Sequence, residues 1–433
     1  MTLATQAAQS LEGDLAARAH LVAARAAHLT DRWSTAEQRG ESAAALARTP
    51  ATREEALWLH FLAGVGPETL DLRDRLDHFR SNGRPGVQQS LRLASAELSL
   101  AELEGNLDRA IADARGALSL ANEGVDPLAL TAFLSIYSYA LILTCRYEQS
   151  LRQSDALLRV AESCGLEFPV PYAQIYRTKA LTGLGRFAAA TRTLSVLERY
   201  VQSGPPGSFF EGAFPVQRAR LYASVGDLTR ALDVLSLGPP AGLNSAARGE
   251  FLGWQAVFHA AAGSMDRARA LATDTRLTSR GLEVAALWLL AEGIAALGAK
   301  DVEKARVHLR TVIENGVWDP VVIAVRAAPS LGEFVAEQPE WRGWLQRVLS
   351  ASSDASLANK LGLPVPRGAK RIAELTPRES EVHELLAQGR TNDQIARQLY
   401  ISLSTTKVHV KHIYEKLGVR SRLEAARALR DDV

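Results

Sequence analysis

Residues 375–430 read LTPRESEVHELLAQGRTNDQIARQLYISLSTTKVHVKHIYEKLGVRSRLEAARALR, and their punctuation is that of four short helices. Thr376, Pro377 and Glu379 supply an N-cap hydroxyl, a proline at the first helical position and a glutamate three residues past the cap. That combination opens a helix, because hydroxyl and carboxylate each satisfy an orphan backbone N–H. Val382, Leu385 and Leu386 fall on one apolar face, and Gly389 is placed to end the helix in a left-handed turn. Thr391 with Gln394 opens a second helix that buries Ile395, Ala396 and Leu399. Ser402 caps a third, which runs to Gly418, and Ser421 with Glu424 opens a fourth. Only Ile401, Ser402 and Leu403 separate the second helix from the third, the tight connection of a helix-turn-helix.

The third helix can be mapped by angle. Thr406, Val410, Ile413 and Leu417 are spaced 4, 3 and 4 apart and share one face, the expected core face. At about 100° per residue the opposite face carries Ser404, Val408, Lys411 and Glu415, flanked by Lys407 and His412. A helix that reads DNA needs this layout: small or branched side chains near its start meet base edges while cations sit among phosphates. A solvated, lysine-bearing surface helix would look similar in isolation. Three capping boxes, two terminating glycines and a tight turn within the same short stretch favour the DNA reading.

The stretch resembles the LuxR-type helix-turn-helix, shared with NarL-type response regulators and the large MalT-like regulators. The residues that carry the resemblance are Leu375 to Glu379, Ile395 and Ala396, Thr405, Lys407 to Val410, Ile413, and Lys416 to Val419. Ser421, Arg422, Glu424 and Ala425 continue it. The resemblance covers only about the last sixty residues. It implies that Lys407, Val408 and Lys411 face the major groove. With the angular map, the candidate DNA-contacting set is Ser404, Thr405, Lys407, Val408, Lys411, His412, Lys416 and Arg420, plus Thr391 and Asn392 at the start of the preceding helix. Lys416 and Arg420 are assigned to phosphates. The resemblance also implies that the last helix contributes to dimerisation, through Ala425, Ala428 and Leu429. Two positions depart from the family pattern. Thr406 stands where valine is usual, and Leu403 where proline is common. A hydroxyl on the core face is expected to bond back to a carbonyl of the preceding turn.

At 433 residues the chain is too long for this module alone and implies two to three domains. From Lys370 to Val433 there are 12 Lys/Arg and 9 Asp/Glu, a net of +3, which leaves −1 on the remainder of a chain whose total is +2. A weakly basic tail on a near-neutral body fits a local DNA footprint rather than a general polyanion binder. Cys145 and Cys164 lack metal-motif spacing and are both expected to be small buried residues. Met1 to Thr30 carries no basic-then-apolar signal, and the most apolar stretch, Val284 to Leu290, is too short to span a bilayer. The expectation is a soluble, cytoplasmic protein with no membrane partner.

Ahead of the module the chain is rich in Ala, Leu and Arg at helical spacing, and a repeated turn appears in it. Gly105, Gly185, Gly226 and Gly263 each start the form Gly-x-apolar-x-x-Ala. Cys145 starts a degenerate copy ending in Ser150, and Gly298 to Ala305 reads as a copy with a longer turn. Successive starts lie 40, 40, 41, 37 and 35 residues apart. An amphipathic helix precedes and follows each turn, which is the pattern of an α-solenoid. It resembles tetratricopeptide repeats with somewhat long units. Such an array implies a concave groove for a small molecule, peptide or protein, with Trp58, Trp254, Trp288, Tyr172 and Tyr176 either lining it or, as large aromatics at helical spacing generally do, packing the core.

The expected chain is therefore all-α. Residues 1–84 form a helical cap or further repeats, 85–349 the repeat domain, 350–371 a Ser-, Pro- and Gly-bearing linker and 372–433 the DNA-binding domain. Phosphate-loop, dinucleotide and His-Glu-x-x-His motifs are absent from the sequence, as is the strand pattern of a receiver domain. His409 and His412, three apart, are read as one packed and one phosphate-facing histidine rather than a metal pair. The reading is a non-enzymatic bacterial transcription regulator without cofactor or metal, acting as a homodimer on double-stranded DNA and meeting RNA polymerase there. The alternative is a tetratricopeptide-type scaffold with only auxiliary DNA binding.

Overall fold

The structure, a computed structural model, describes residues 2–30, 32–120, 125–203, 209–364, 375–387, 389–399, 401–417, 419 and 421–430. Among them every regular element is a helix. Contacts divide the chain into two compact units, residues 1–331 and 332–433.

The first unit begins with α1 (Thr2–Ser10), α2 (Gly13–His28), α3 (Trp33–Leu46), α4 (Pro50–Val65) and α5 (Leu72–Asn82). Six pairs follow: α6 (Val87–Glu104) with α7 (Leu107–Leu120), α8 (Pro127–Leu143) with α9 (Tyr147–Ser163), and α10 (Pro169–Gly183) with α11 (Phe187–Ser203). Then come α12 (Phe209–Ser224) with α13 (Leu228–Leu235), α14 (Ser245–Ala261) with α15 (Met265–Thr278), and α16 (Leu282–Gly298) with α17 (Val302–Glu314). Each helix packs on its sequence neighbour, and the first helices of successive pairs pack on one another. This is the arrangement of an α-solenoid. The N-terminal helices continue it, since α4 and α5 lie against α6 and share a core of Trp58, Phe61, Leu72, Phe79 and Leu100.

Five of the six repeated turns share one geometry; the first differs, with Gly105 (φ +97°) followed by Asn106 at φ +69° and the Gly105 amide bonded to the Ala101 carbonyl at 3.0 Å. Gly185 takes φ +69°, and the amide of Arg186 then reaches back to the carbonyl of Leu181 at 2.9 Å. This is the Schellman closure of a helix end, which needs a left-handed residue. The same bond recurs from Arg146 to Leu141, Asp227 to Tyr222, Ser264 to His259 and Asp301 to Ala296. The last of these corrects the sequence register. The left-handed residue there is Lys300 (φ +60°), while Gly298 is still helical, so this turn is no longer than the others and starts 37 residues after Gly263. Five residues after each left-handed position stands a buried small residue: Ser150, Ala190, Ala231, Ala268 and Ala305. Their size lets the second helix of each pair close on the first.

The pattern breaks at α18 (Asp319–Ala327). This helix packs against α8, α10, α12, α14 and α16, the first helices of five pairs, and so runs along the inner face of the array. The amide of Trp318 bonds the Leu143 carbonyl at 2.7 Å, and the Arg326 guanidinium bonds the carbonyls of Thr182 and Gly183 at 2.8 Å each. Both sets satisfy carbonyls orphaned at helix C-termini. Asp319 is fully buried between Arg220 (2.7 Å) and the Tyr147 hydroxyl (2.9 Å). Around it, Arg220 stacks on Trp254 at 4.8 Å and lies 3.7 Å from Glu283. Trp58 and Trp254 are thus core residues rather than groove liners. Cys145 is buried as expected. Cys164 is exposed, because it follows the last turn of α9 where the chain leaves the packed face.

The second unit holds α19 (Pro329–Glu337, which begins in the first), α20 (Pro339–Ala351) and α21 (Ala355–Lys360), the last inside the stretch read as linker. The C-terminal module follows as α22 (Pro377–Ala387), α23 (Asn392–Gln398), α24 (Leu403–Leu417) and α25 (Arg422–Arg430).

Candidate nucleic-acid interface

The start signals written in the sequence are made in the structure. The Thr376 hydroxyl accepts from the Glu379 amide at 3.3 Å while the Glu379 carboxylate accepts from the Thr376 amide at 2.7 Å. Thr391 and Gln394 form the same reciprocal box at α23. Ser402 Oγ accepts from the Thr405 amide at 3.0 Å, and Ser421 Oγ from the Glu424 amide at 3.2 Å. Gly389 takes φ +80°, and Arg390 closes the Schellman bond to Leu385 at 3.0 Å. The core joins Val382, Leu385 and Leu386 of α22 to Ile395 of α23, Val410, Ile413 and Leu417 of α24, and Ala425 of α25.

The inward face of α24 is the expected one: Thr406, Val410, Ile413 and Leu417 are all buried. Thr406 is fully enclosed, and its hydroxyl donates to the Ser402 carbonyl at 3.2 Å. The opposite face presents Ser404, Lys407, Val408 and Lys411 to solvent, with Thr405 beside them. Val408 is 51% exposed, an apolar group that core packing does not explain, and the Lys411 side chain is 75% exposed. Glu415 sits one turn on from Lys411, 3.7 Å from its ammonium. A branched apolar side chain between two lysines can touch a thymine methyl while the ammonium groups reach bases or phosphates.

Other candidates are placed differently. Lys416 turns to α22 and bonds Glu379 at 2.6 Å, and His412 lies on the same flank, 3.7 Å from that carboxylate. Burial alone would raise the Glu379 pKa; the Lys416 ammonium and the Thr376 amide outweigh it and hold the carboxyl at about 2. Lys416 is thus committed to an internal ion pair. The Thr391 hydroxyl is used as a cap, and Asn392 Oδ1 accepts from Arg422 at 3.1 Å. Arg422 also bonds the Arg390 carbonyl, so these residues tie α25 to the turn before α23. His409 is half-buried. Arg420 lies outside the described residues, and only the helical backbone of Ala428 and Leu429 is described.

Ala425 requires a correction. It is fully buried in the module core, and its carbonyl accepts from His383 Nε2 at 2.7 Å, so it has no surface to offer a second copy. The exposed apolar residue of α25 among those described is Leu423, at 61%. His383 itself was not singled out in the sequence. It stands one residue after Val382 on the same apolar stripe, and that position is the signal that marks it as internal. Burial lowers its pKa, against the opposing pull of the Ala425 carbonyl.

Comparison with known proteins bears on this module and on the array separately. A family described as "Bacterial regulatory proteins, luxR family" matches residues 373–429. The nitrate/nitrite response regulator protein NarL of Escherichia coli (strain K12) is 43% identical over 81 residues, 19% of this chain and 38% of NarL. The HTH-type transcriptional regulator MalT of Yersinia pestis (strain Pestoides F) is 46% identical over 55 residues, 13% of this chain and 6% of MalT. The chain therefore spans well under two thirds of the length of these relatives. A Rap protein, solved in complex with Competence and Sporulation Factor, superposes with a TM-score of 0.56 at 12% identity, covering 80% of this chain and 98% of the Rap chain. At that identity the likeness is one of fold, an all-helical repeat array. The chain combines an all-helical repeat array with a C-terminal helix-turn-helix segment, residues 373–429, that matches the luxR family of bacterial regulatory proteins.

Proposed function

We propose that this protein is a bacterial transcription regulator whose array senses a ligand or protein partner and whose residues 372–433 bind double-stranded DNA. The observation that carries the reading is the outward face of α24, where Lys407, Val408 and Lys411 stand exposed beyond a fully packed inward face. This face lies within the stretch that matches the luxR family. It supplies the mixed cationic and apolar surface that a major-groove helix needs. Lys407, Val408 and Lys411 are the base- and phosphate-reading residues, with Ser404 and Thr405 near the helix start. Arg420 is a phosphate contact; Lys416 acts from inside the module.

The regulator works as a homodimer, because one short module neutralises few phosphates and two half-sites roughly double the contacts. With Ala425 internal, Leu423 and the far side of α25 are the surface for that pairing. RNA polymerase is its partner at the promoter, it works in the cytoplasm, and it is not an enzyme. No helix among the described residues is long and apolar enough to cross a membrane.

The test is selection of duplexes from a random pool with the full chain, followed by titration of the full chain and of residues 368–433 at two salt concentrations. The expected result is sequence-selective binding that weakens steeply with salt. Tighter binding by the fragment identifies the array as a brake; far weaker binding identifies it as the source of the dimer. If neither selects a sequence, the protein is an interaction scaffold instead.

A further inference from the structure

The array holds a partly open cavity of about 170 Å³ on its inner face. That is far more than the roughly 15 Å³ one water needs. Much of its polar lining comes from the first helices of five of the six pairs: Glu102 from α6, Tyr139 from α8, Lys179 from α10, Glu250 from α14 and Glu283 from α16. Tyr176 adds an aromatic wall. Most of these groups satisfy one another. Lys179 forms an ion pair with Glu250 at 2.8 Å, bonds Glu283 at 3.1 Å and lies 4.9 Å above the Tyr139 ring, whose hydroxyl donates to Glu283.

Glu102 is the exception. Its Oε1 is buried and has no hydrogen-bond partner, while the side chain opens onto the cavity. Of the other lining carboxylates, Glu250 and Glu283 share Lys179, and Glu68 accepts from Ser279 Oγ at 2.6 Å and from the Arg280 amide at 2.8 Å, so Glu102 is the one left unmatched among the described residues. Burial and the nearby Glu283 carboxylate push the Glu102 pKa well up, so the unfilled site favours the protonated acid, and a cation arriving beside it would release that proton and take its place. Metal ligation does not fit, since no group of His, Cys, Asp and Glu among the described residues is set to hold an ion. The surrounding Tyr139 and Tyr176 rings and the apolar Ile175 and Leu103 suit an organic cation, whose charge is favoured over ring faces.

We propose that this cavity binds a small primary amine, with its ammonium donating to Glu102 and its apolar body against Tyr176. The inference rests on the reading of the array as a sensor and names the ligand class. The site also touches the inner helix. Glu283 contacts both Lys179 and Arg220, and Arg220 holds Asp319 of α18. A cation entering beside Glu102 therefore competes within the ion network that seats α18.

The experiment is isothermal titration calorimetry of the full chain, without DNA, using phenethylamine and 1,4-diaminobutane against phenethyl alcohol and phenylacetate. At least one amine binds at millimolar concentration or better, and the alcohol and the carboxylate do not. Glu102→Gln weakens the amine by about tenfold or more, the loss expected for one charge-assisted hydrogen bond. Tyr176→Leu weakens it independently, so the test survives if either variant misfolds. The proposal is overturned if no amine binds, if phenylacetate binds as tightly, or if both folded variants keep wild-type affinity. Failure here leaves DNA binding untouched. DNA binding by α24, measured separately by fluorescence anisotropy with and without amine, can fail without affecting the titration.

Discussion

The DNA-binding module and the inner face of the array both bury ion pairs, on different terms. In the module one carboxylate meets one ammonium, Glu379 and Lys416, on helices of the same small unit. In the array Lys179, Arg220, Glu250, Glu283 and Asp319 converge from five helices, with Tyr147 reaching Asp319 across 172 residues of sequence. The module's pair doubles as a helix cap and holds one junction. The array's network holds α18 inside the repeats, so its loss should spread further. Buried charge is thus local reinforcement in one unit and the seat of an inserted helix in the other.

The largest expected effect tests the array side. Arg220→Ala leaves Asp319 buried without its cation and should destabilise the array by about 3–5 kcal/mol. Denaturant unfolding followed by tryptophan fluorescence reads it, since Arg220 stacks on Trp254. Replacing the pair together, Arg220→Met with Asp319→Leu, should recover much of the loss. A single variant within about 1 kcal/mol of wild type would erase the contrast between the two units.

The module side should respond less. Glu379→Gln removes a charge that meets both Lys416 and the Thr376 amide and should cost roughly 1–3 kcal/mol. Lys416→Ala should cause a similar loss of stability while leaving the salt dependence of DNA binding nearly unchanged. A reduced salt slope would return Lys416 to the phosphate contacts. The pH dependence has a definite sign. Glu379 titrates at about 2 in the folded module against an ordinary 4.5, so the folded state favours the charged form. Its contribution is complete above about pH 4.5 and is lost as pH falls towards 2. Acid unfolding in that window should be blunted in Glu379→Gln; an unchanged acid limb would refute the ion-pair account.

The smallest effect concerns the module core. The Ser402 carbonyl keeps its bond from the Thr406 amide at 3.0 Å when the hydroxyl is removed. Thr406→Val should therefore be neutral or stabilising by up to about 0.5 kcal/mol. A thermal midpoint that drops by several degrees would show that the hydroxyl has a role beyond this back-bond.

The two units also differ in how much of each could be read from residues alone. In the module the signals lie within a few residues of their effects, so caps, turns and the buried stripe of α24 are all legible. The repeat turns are legible for the same reason, although Lys300 in a glycine's place shifts one register by two residues. What escapes is long-range. Glu102, Tyr139, Lys179, Glu250 and Glu283 lie one repeat apart, with two repeats between Lys179 and Glu250, but only the packing of the array brings them to one cavity. Likewise α18 carries an apolar pattern that fits another repeat helix, and its insertion depends on Asp319 and Arg326 meeting groups far away in sequence. In the module, Ala425 was misplaced because a small residue on a terminal helix fits a core and a dimer face equally well.

The central claim is that the outward face of α24 reads DNA. Its most direct test compares wild type with Lys411→Ala, full chain, on a selected duplex and on a random duplex across a salt series. The expected result is a loss of about 1–3 kcal/mol on the selected duplex and a much smaller change on the random one. Equal affinity of the two proteins for the selected duplex would contradict the claim and remove α24 from the groove.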